Sequence, residues 1–303
     1  MYKSVSSDIK KYNLSSSLHA LHKDGHSDLD FGMDNDKELL DGVFGIYSTG
    51  NTKSSIGPIK SEYYRIALVR KGTAQFSIGL ESFNPERNYL IFGFPGQIFS
   101  LKNPSSDFFT YYMLFADSFI NEKNHFLDRN EFPFLTYSGR HYVELSEADG
   151  DEIESLIKKI NNEIKQKKQF LTQVIKQYVY LIYHLALRSY SEVIENREIK
   201  NPQFSKFLKL VSEHYLTKRK ASDYASLLCV GTDHLNRIVR SQSDKTTSKW
   251  IDIMILQEAK ALLRYTDYSV NEVAYKLHFA DPSYFIKFFK KMENKTPVQY
   301  RSE

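Results

Sequence analysis

Apolar positions change their period three times along the chain. Between residues 41 and 120 they come as short β-favouring runs, VFGIYS, YYRIALV, AQFSIGL, YLIFGF, QIFSL and FFTYYMLF. Gly72, Gly79, Asn84-Pro85, Pro95-Gly96 and Asn103-Pro104 interrupt them, at the spacing of roughly 8 to 12 residues typical of an all-β sandwich or small barrel. The reading is a compact antiparallel β-barrel over 41–148. Tyr63, Arg65, Phe76, Phe94, Gln97, Phe99 and Tyr112 are its candidate cavity-lining, ligand-binding residues, although strand alternation makes about half of such residues plain core.

From residue 149 the period lengthens. Ile153, Leu156, Ile157, Ile160 and Ile164 form one helical stripe, and Phe170, Leu171, Val174, Ile175, Tyr178, Val179, Ile182, Leu185 and Ala186 form a wider one. Two helices are expected over 149–200, as a connector whose broad face either caps the barrel or joins a second copy into a homodimer. The polar string SYSEVIENREIKNPQ then ends in Asn201-Pro202, a boundary signal. At the other end, residues 1–40 are polar without a sustained period and read as a leader. Its His19, His22 and His26 invite a metal, but nothing there preorganises ligands, so no metal site is assigned.

The last hundred residues repeat themselves. FSKFLKLVSEHYL, SDYASLLC and TDHLNRIVRSQS read as three helices, with Gly231 at the break before the third. A short helix, tight turn and second helix return at Val270–His278 and from Asp281-Pro282 through Met292; Asp before Pro is a strong helix start. Ala225 and Ala274, Leu228 and Leu277, Val230 and Phe279 are 49 apart, whereas Leu235 and Phe285, Ile238 and Phe288, Val239 and Phe289, Arg240 and Lys290 are 50 apart. Between the copies, TTSKWIDIMILQEAKALLRYT carries an apolar helical stripe and spans roughly 30 Å, close to the ~34 Å between successive major-groove faces of a duplex.

If Leu235, Ile238 and Val239 are buried, then Thr232, Asp233, Asn236, Arg237 and Arg240 face outward. Arg237 and Asn236 are the candidate base readers, since Arg pairs bidentately with guanine and Asn with adenine. In the second copy Tyr284, Phe285, Phe288 and Phe289 are expected in the core. That leaves Ser283, Ile286, Lys287, Lys290 and Lys291 outward, Lys287 for base edges and Lys290 or Lys291 for phosphates.

Charge agrees with this placement. The 303 residues carry a net charge of +4, yet 201–303 hold 17 basic and 11 acidic side chains against 24 and 26 in the first 200. Such a localised positive field favours a polyanion. The 41% hydrophobic content, with 21 Tyr and 21 Phe, rules out wholesale disorder. No apolar run is long enough for a membrane span, and no secretory signal is present, so a cytoplasmic location is expected. The lone Cys229 supports neither a disulfide framework nor a thiolate zinc site and reads as a small buried core residue.

EAKALLRYTDYSVNEVAYKLHFADPSYFIKFFKKMENKTPVQYR resembles the AraC family of bacterial transcription regulators. The matching positions are Ala259 to Leu263, Val273-Ala274, Phe279, Ser283-Tyr284-Phe285, Phe288 to Lys291, Thr296-Pro297 and Tyr300-Arg301. YYRIALVRKGTAQFSI, PGQIFSL and YYMLFADSFI resemble, less distinctively, that family's cupin-type arm. The resemblance implies a multidomain α and β chain: a cupin-like N-terminal barrel as sensor, then an all-α double helix-turn-helix over 201–303 that binds promoter DNA. It also implies a small-molecule effector and RNA polymerase as candidate partners, no cofactor and no enzymatic activity. His278 stands where that family usually has Gly, Asn294 and Asp244 where Gly is common, and Ile255 where Arg is common. Two rivals stay open at this level: an enzyme built on the barrel, for which no convincing catalytic constellation is found, and a protein-interaction module using the helix-turn-helix pairs.

Overall fold

The computed structural model describes residues 31, 43–49, 55–60, 62–79, 81–120, 131–136, 140–194 and 201–302. The histidines of the polar leader lie outside the described residues. The chain divides into two compact units, one β-rich and reaching to residue 199, the other comprising residues 200–303 with 57–60.

Among the described residues nine strands form two sheets. They are β1 (Phe44–Ser48), β2 (Ile56–Lys60), β3 (Tyr64–Lys71), β4 (Gln75–Ile78), β5 (Glu81–Phe83), β6 (Tyr89–Gly93), β7 (Ile98–Lys102), β8 (Phe109–Phe115) and β9 (Tyr142–Glu144). One sheet runs β1-β8-β3-β6-β9 and the other β2-β7-β4-β5. This corrects the expected closed barrel: among the described residues no ladder joins the two sheets, so the unit is a sandwich. The six expected runs are strands, while β2, β5 and β9 are short and lacked an alternating signature.

A one-turn helix, α1 (Asp117–Ile120), follows β8. Then come α2 (Glu147–Gln166) and α3 (Leu171–Ile194), the two helices expected after the strands. Ser146 caps α2 by accepting the Asp149 N–H at 3.1 Å, and the helix stops at Lys167, a left-handed residue. The Ile153, Leu156, Ile157, Ile160 and Ile164 stripe is buried. In β3, the face bearing Ile66 and Leu68 turns toward α2, where Arg70 meets Asp151 and Glu154. The opposite face, with Arg65 and Ala67, lines the space between the sheets.

The helical unit consists of α4 (Pro202–His214), α5 (Ala221–Leu227), α6 (Thr232–Ser243), α7 (Thr247–Tyr265), α8 (Val270–Lys276), α9 (Pro282–Glu293) and α10 (Pro297–Arg301). It has two aromatic-rich cores. The first packs Phe204, Phe207, Tyr224 and Trp250 in tilted and edge-on contacts. The second gathers Leu256, Ala259, Leu262 and Leu263 of α7 with Val273, Ala274, Leu277, Phe285, Phe289 and Tyr300. Helix α7 is shared, with Trp250, Ile251 and Met254 buried nearer its start and the leucines nearer its end. One continuous helix therefore fixes both cores on a single axis.

Candidate nucleic-acid interface

Both turns between paired helices are built alike. Helix α5 ends with the Val230 N–H on the Ala225 carbonyl and the Cys229 N–H on that of Ser226, at 3.0 and 3.1 Å. Helix α8 ends with Phe279 N–H on Ala274 and His278 N–H on Tyr275, at 3.0 and 2.9 Å. This is the Schellman arrangement, which needs a left-handed residue at its hinge. Cys229 and His278 supply it, with φ of 54° and 59°. Gly231 does not: it is the α6 N-cap at φ −72°. Cys229 is consequently exposed, which corrects the expected core placement; a residue at the apex of such a turn projects away from the helix it terminates.

The equivalence continues through the second helix of each pair, α6 and α9. Both end on left-handed residues 50 apart, Asp244 (φ 53°) and Asn294 (φ 61°), side chains that tolerate this backbone better than most. Thr246 and Thr296, again 50 apart, cap α7 and α10. At the start of α9, Asp281 accepts the Ser283 N–H at 2.6 Å and Pro282 occupies the first turn. Those hydrogen bonds, and then the Lys287 charge, hold the Asp281 carboxyl below its ordinary range.

Each of these two helices has one buried and one open face. In α6, Leu235, Ile238 and Val239 are buried, Asp233, Arg237 and Arg240 are exposed, and Thr232 and Asn236 are half-buried. Arg237 Nη2 lies 2.9 Å from Nδ1 of His234 one turn back. In α9, Phe285 and Phe289 are buried and Phe288 partly so, leaving Ser283, Ile286, Lys287, Lys290 and Lys291 exposed. Tyr284 is 66% exposed, which corrects its expected core placement. It occupies the first turn, ahead of the core, and its counterpart 50 residues earlier is the exposed His234.

Other residues that matter here carry no recognisable sequence signal. Arg219, ahead of α5, donates through Nη2 to the Leu277 carbonyl and lies 4.9 Å from the Phe279 ring centroid, so it ties the first pair to the turn of the second. Asp252 on α7 is half-buried; desolvation raises its proton affinity, and the charges of Lys249, Lys291 and Arg219 oppose that.

Within the sandwich, the expected cavity residues fall into two groups. Arg65, Phe76, Phe99 and Tyr112 meet between the sheets: the Arg65 guanidinium lies 3.5 Å from the Phe99 ring centroid, and Phe76 packs edge-on to Phe99 at 5.7 Å. Gln97 and Phe94 join His141 at the end of β6, Gln97 Oε1 accepting the Phe94 N–H at 3.0 Å and Nε2 meeting His141 Nε2 at 3.0 Å. Because His141 Nδ1 also lies 3.1 Å from the Phe134 carbonyl, which can only accept, the tautomer carries its proton on Nδ1. Tyr63 is half-buried just ahead of β3. His141 and Tyr47, whose ring packs on Tyr112 at 5.4 Å, belong to these groups and were not expected. Among the described residues there is no cluster of three or more His, Cys, Asp or Glu able to hold a metal, and no helix long and apolar enough to cross a membrane.

Residues 224–303 match the family model described as a helix-turn-helix domain. Over 247 residues the chain is 24% identical to the uncharacterized HTH-type transcriptional regulator YdeC of Bacillus subtilis (strain 168), covering 78% of this chain and 83% of that protein. The HTH-type regulator YisR of the same organism is 23% identical over 255 residues, covering 78% and 85%. Among solved structures, ToxT from Vibrio cholerae aligns over 85% of this chain and 97% of its own, at 17% identity and a TM-score of 0.46.

Proposed function

We propose that this chain is a sequence-specific, promoter-binding transcription regulator of the AraC type, reading duplex DNA with α6 and α9. The observation that carries this is the duplicated pair of helices: two equivalent turns and two amphipathic helices, each with a cationic outer face, set on one helix about 28 Å long. That length suits adjacent major grooves on one side of a duplex. The resemblance of most of the chain to HTH-type transcriptional regulators supports the same reading.

On this account Arg237 and Asn236 in α6, and Lys287 in α9, contact base edges; Arg240 and Lys290 or Lys291 contact phosphates, with Thr232, Asp233 and Ser283 at the margins. The sandwich is the sensor for a small effector, α2 and α3 connect it and offer a face for a homodimer, and RNA polymerase is the partner at the promoter. No enzymatic step is assigned.

Salt separates this from the rival in which the helix pairs bind a protein. Duplex binding that neutralises about six phosphates should weaken on the order of 10³-fold between about 50 and 200 mM salt, whereas apolar contact should hardly change. Fluorescence anisotropy of the purified chain with a labelled duplex measures this, and a flat salt response would favour the rival.

A further inference from the structure

Two arginines of β3 are equally buried, each 8% exposed, and differ in what compensates them. Arg70, on the α2 side, is ion-paired with Asp151 and with Glu154 at 2.6 Å, and hydrogen-bonded to Asn88. Arg65, on the inner face, has only the Phe99 ring beneath it; among the described residues no carboxylate and no hydrogen-bond acceptor pairs with it. Burial lowers its proton affinity to about 10, with the nearby Tyr112 hydroxyl acting the other way. Arg65 therefore stays charged at neutral pH, and a buried cation without a counter-charge is costly unless something else neutralises it.

The β6 position paired with Arg65 carries no side chain. In the ladders Arg65 stands opposite Gly93 of β6 and Leu114 of β8, and Leu114 in turn faces Gly45 of β1. A Cβ on Gly93 would make only ordinary contacts, 3.5 Å to Arg65 Cβ and 3.8 Å to Gln97 Oε1. The Tyr47 ring leans over Gly45, on the row that holds Arg65. Burial keeps the Tyr47 and Tyr112 hydroxyls neutral, so they are donors rather than counter-charges. The Gln97 amide is already committed to Phe94 and His141. The remaining surface is apolar, from Phe76, Phe99 and Leu114.

We propose that the space beside Arg65, between the two sheets, is a binding site for a small monocarboxylate. The carboxylate lies on the guanidinium and the apolar body lies against Phe76 and Phe99. This rests on reading the sandwich as the sensor unit and assigns that sensor its ligand class. A carboxylate matches the planar guanidinium bidentately.

The test uses the full chain and its thermal midpoint, titrated with sodium benzoate and sodium hexanoate against benzamide and hexanamide at matched ionic strength. The acids should raise the midpoint saturably, by about 2–4 °C at tenfold excess over Kd, and the amides should not. Arg65→Met should abolish the rise and leave the ligand-free midpoint at or above that of the unaltered chain, since it removes an uncompensated buried charge. Gly93→Val keeps the cation but fills the space, and should also abolish the rise. The proposal is overturned if the acids leave the unaltered chain unmoved, if either variant still responds, or if Arg65→Met lowers the ligand-free midpoint by several degrees, which would make Arg65 a structural cation. Duplex binding is measured on the same samples, so failure of the carboxylate site with DNA binding intact leaves the regulator reading standing.

Discussion

Arg237 and Lys290 occupy open faces but are assigned different work. Arg237→Ala should cost roughly 1–3 kcal/mol on a specific duplex and relax preference at one base pair; Lys290→Ala should weaken specific and random duplexes alike. Anisotropy on both duplexes tells them apart, and an equal loss for Arg237→Ala would remove it from the base readers. The outward set of α6 was legible because Leu235, Ile238 and Val239 fix the buried face, and with it the opposite one. Tyr284 was not legible, because an aromatic beside Phe285 resembles core until the edge of that core is known. Cys229 misled for a related reason: free cysteines are usually buried, but this one occupies a left-handed turn position. His278 occupies the equivalent position with φ 59° and an exposed side chain. His278→Gly should therefore stabilise the chain by about 0.5–1 kcal/mol, read as a higher thermal midpoint; a lower midpoint would mean that the imidazole holds the turn.

Among the elements, the helices were far more legible than the strands. Thr246, Asp281-Pro282 and Thr296-Pro297 announce their helix starts with a side-chain oxygen poised for an orphan N–H. Of the strands that were missed, β2 carries a Gly-Pro inside IGPIK, which reads as a turn, and β5 and β9 are three residues each, too few to show alternation. The latch from Arg219 to the Leu277 carbonyl was invisible because its partner is backbone 58 residues away. Arg219→Ala should leave each helix pair folded but loosen the first against the second. Affinity should then fall more on a duplex with two sequence blocks than on one with a single block; equal losses would deny the coupling. Phe285→Ala, by contrast, should cost about 3–5 kcal/mol of stability through lost burial in the second core. Acid should act on the starts of α8 and α9. Glu272 is held below its ordinary range by hydrogen bonds with Ser269, and Asp281 by those with Ser283 and then by the Lys287 charge. A lowered folded value stabilises above the ordinary carboxylate range and is lost as pH falls through it. The thermal midpoint should therefore drop below about pH 4, and Asp281→Asn, which keeps a capping oxygen without the titration, should soften that drop.

For the molecule as a whole, the chain pairs a two-sheet unit with a duplicated helical unit, and the basic excess lies in the second. The duplication is the part most fully written into the sequence, because equal spacings in two copies constrain each other. The sandwich was harder to read: turn residues announce strands, but whether the sheets close into a barrel depends on ladders between distant segments. The central claim is that two recognition helices, held by one rigid spacer, read one face of a duplex. Its most direct test is selection of bound fragments from sheared genomic DNA of the source organism by the purified full chain at two salt concentrations. The account predicts a few promoter fragments sharing an asymmetric motif, with two conserved blocks about one helical turn apart, retained at the higher salt. Recovery of random fragments that are lost at the higher salt, or of none at either, would contradict it.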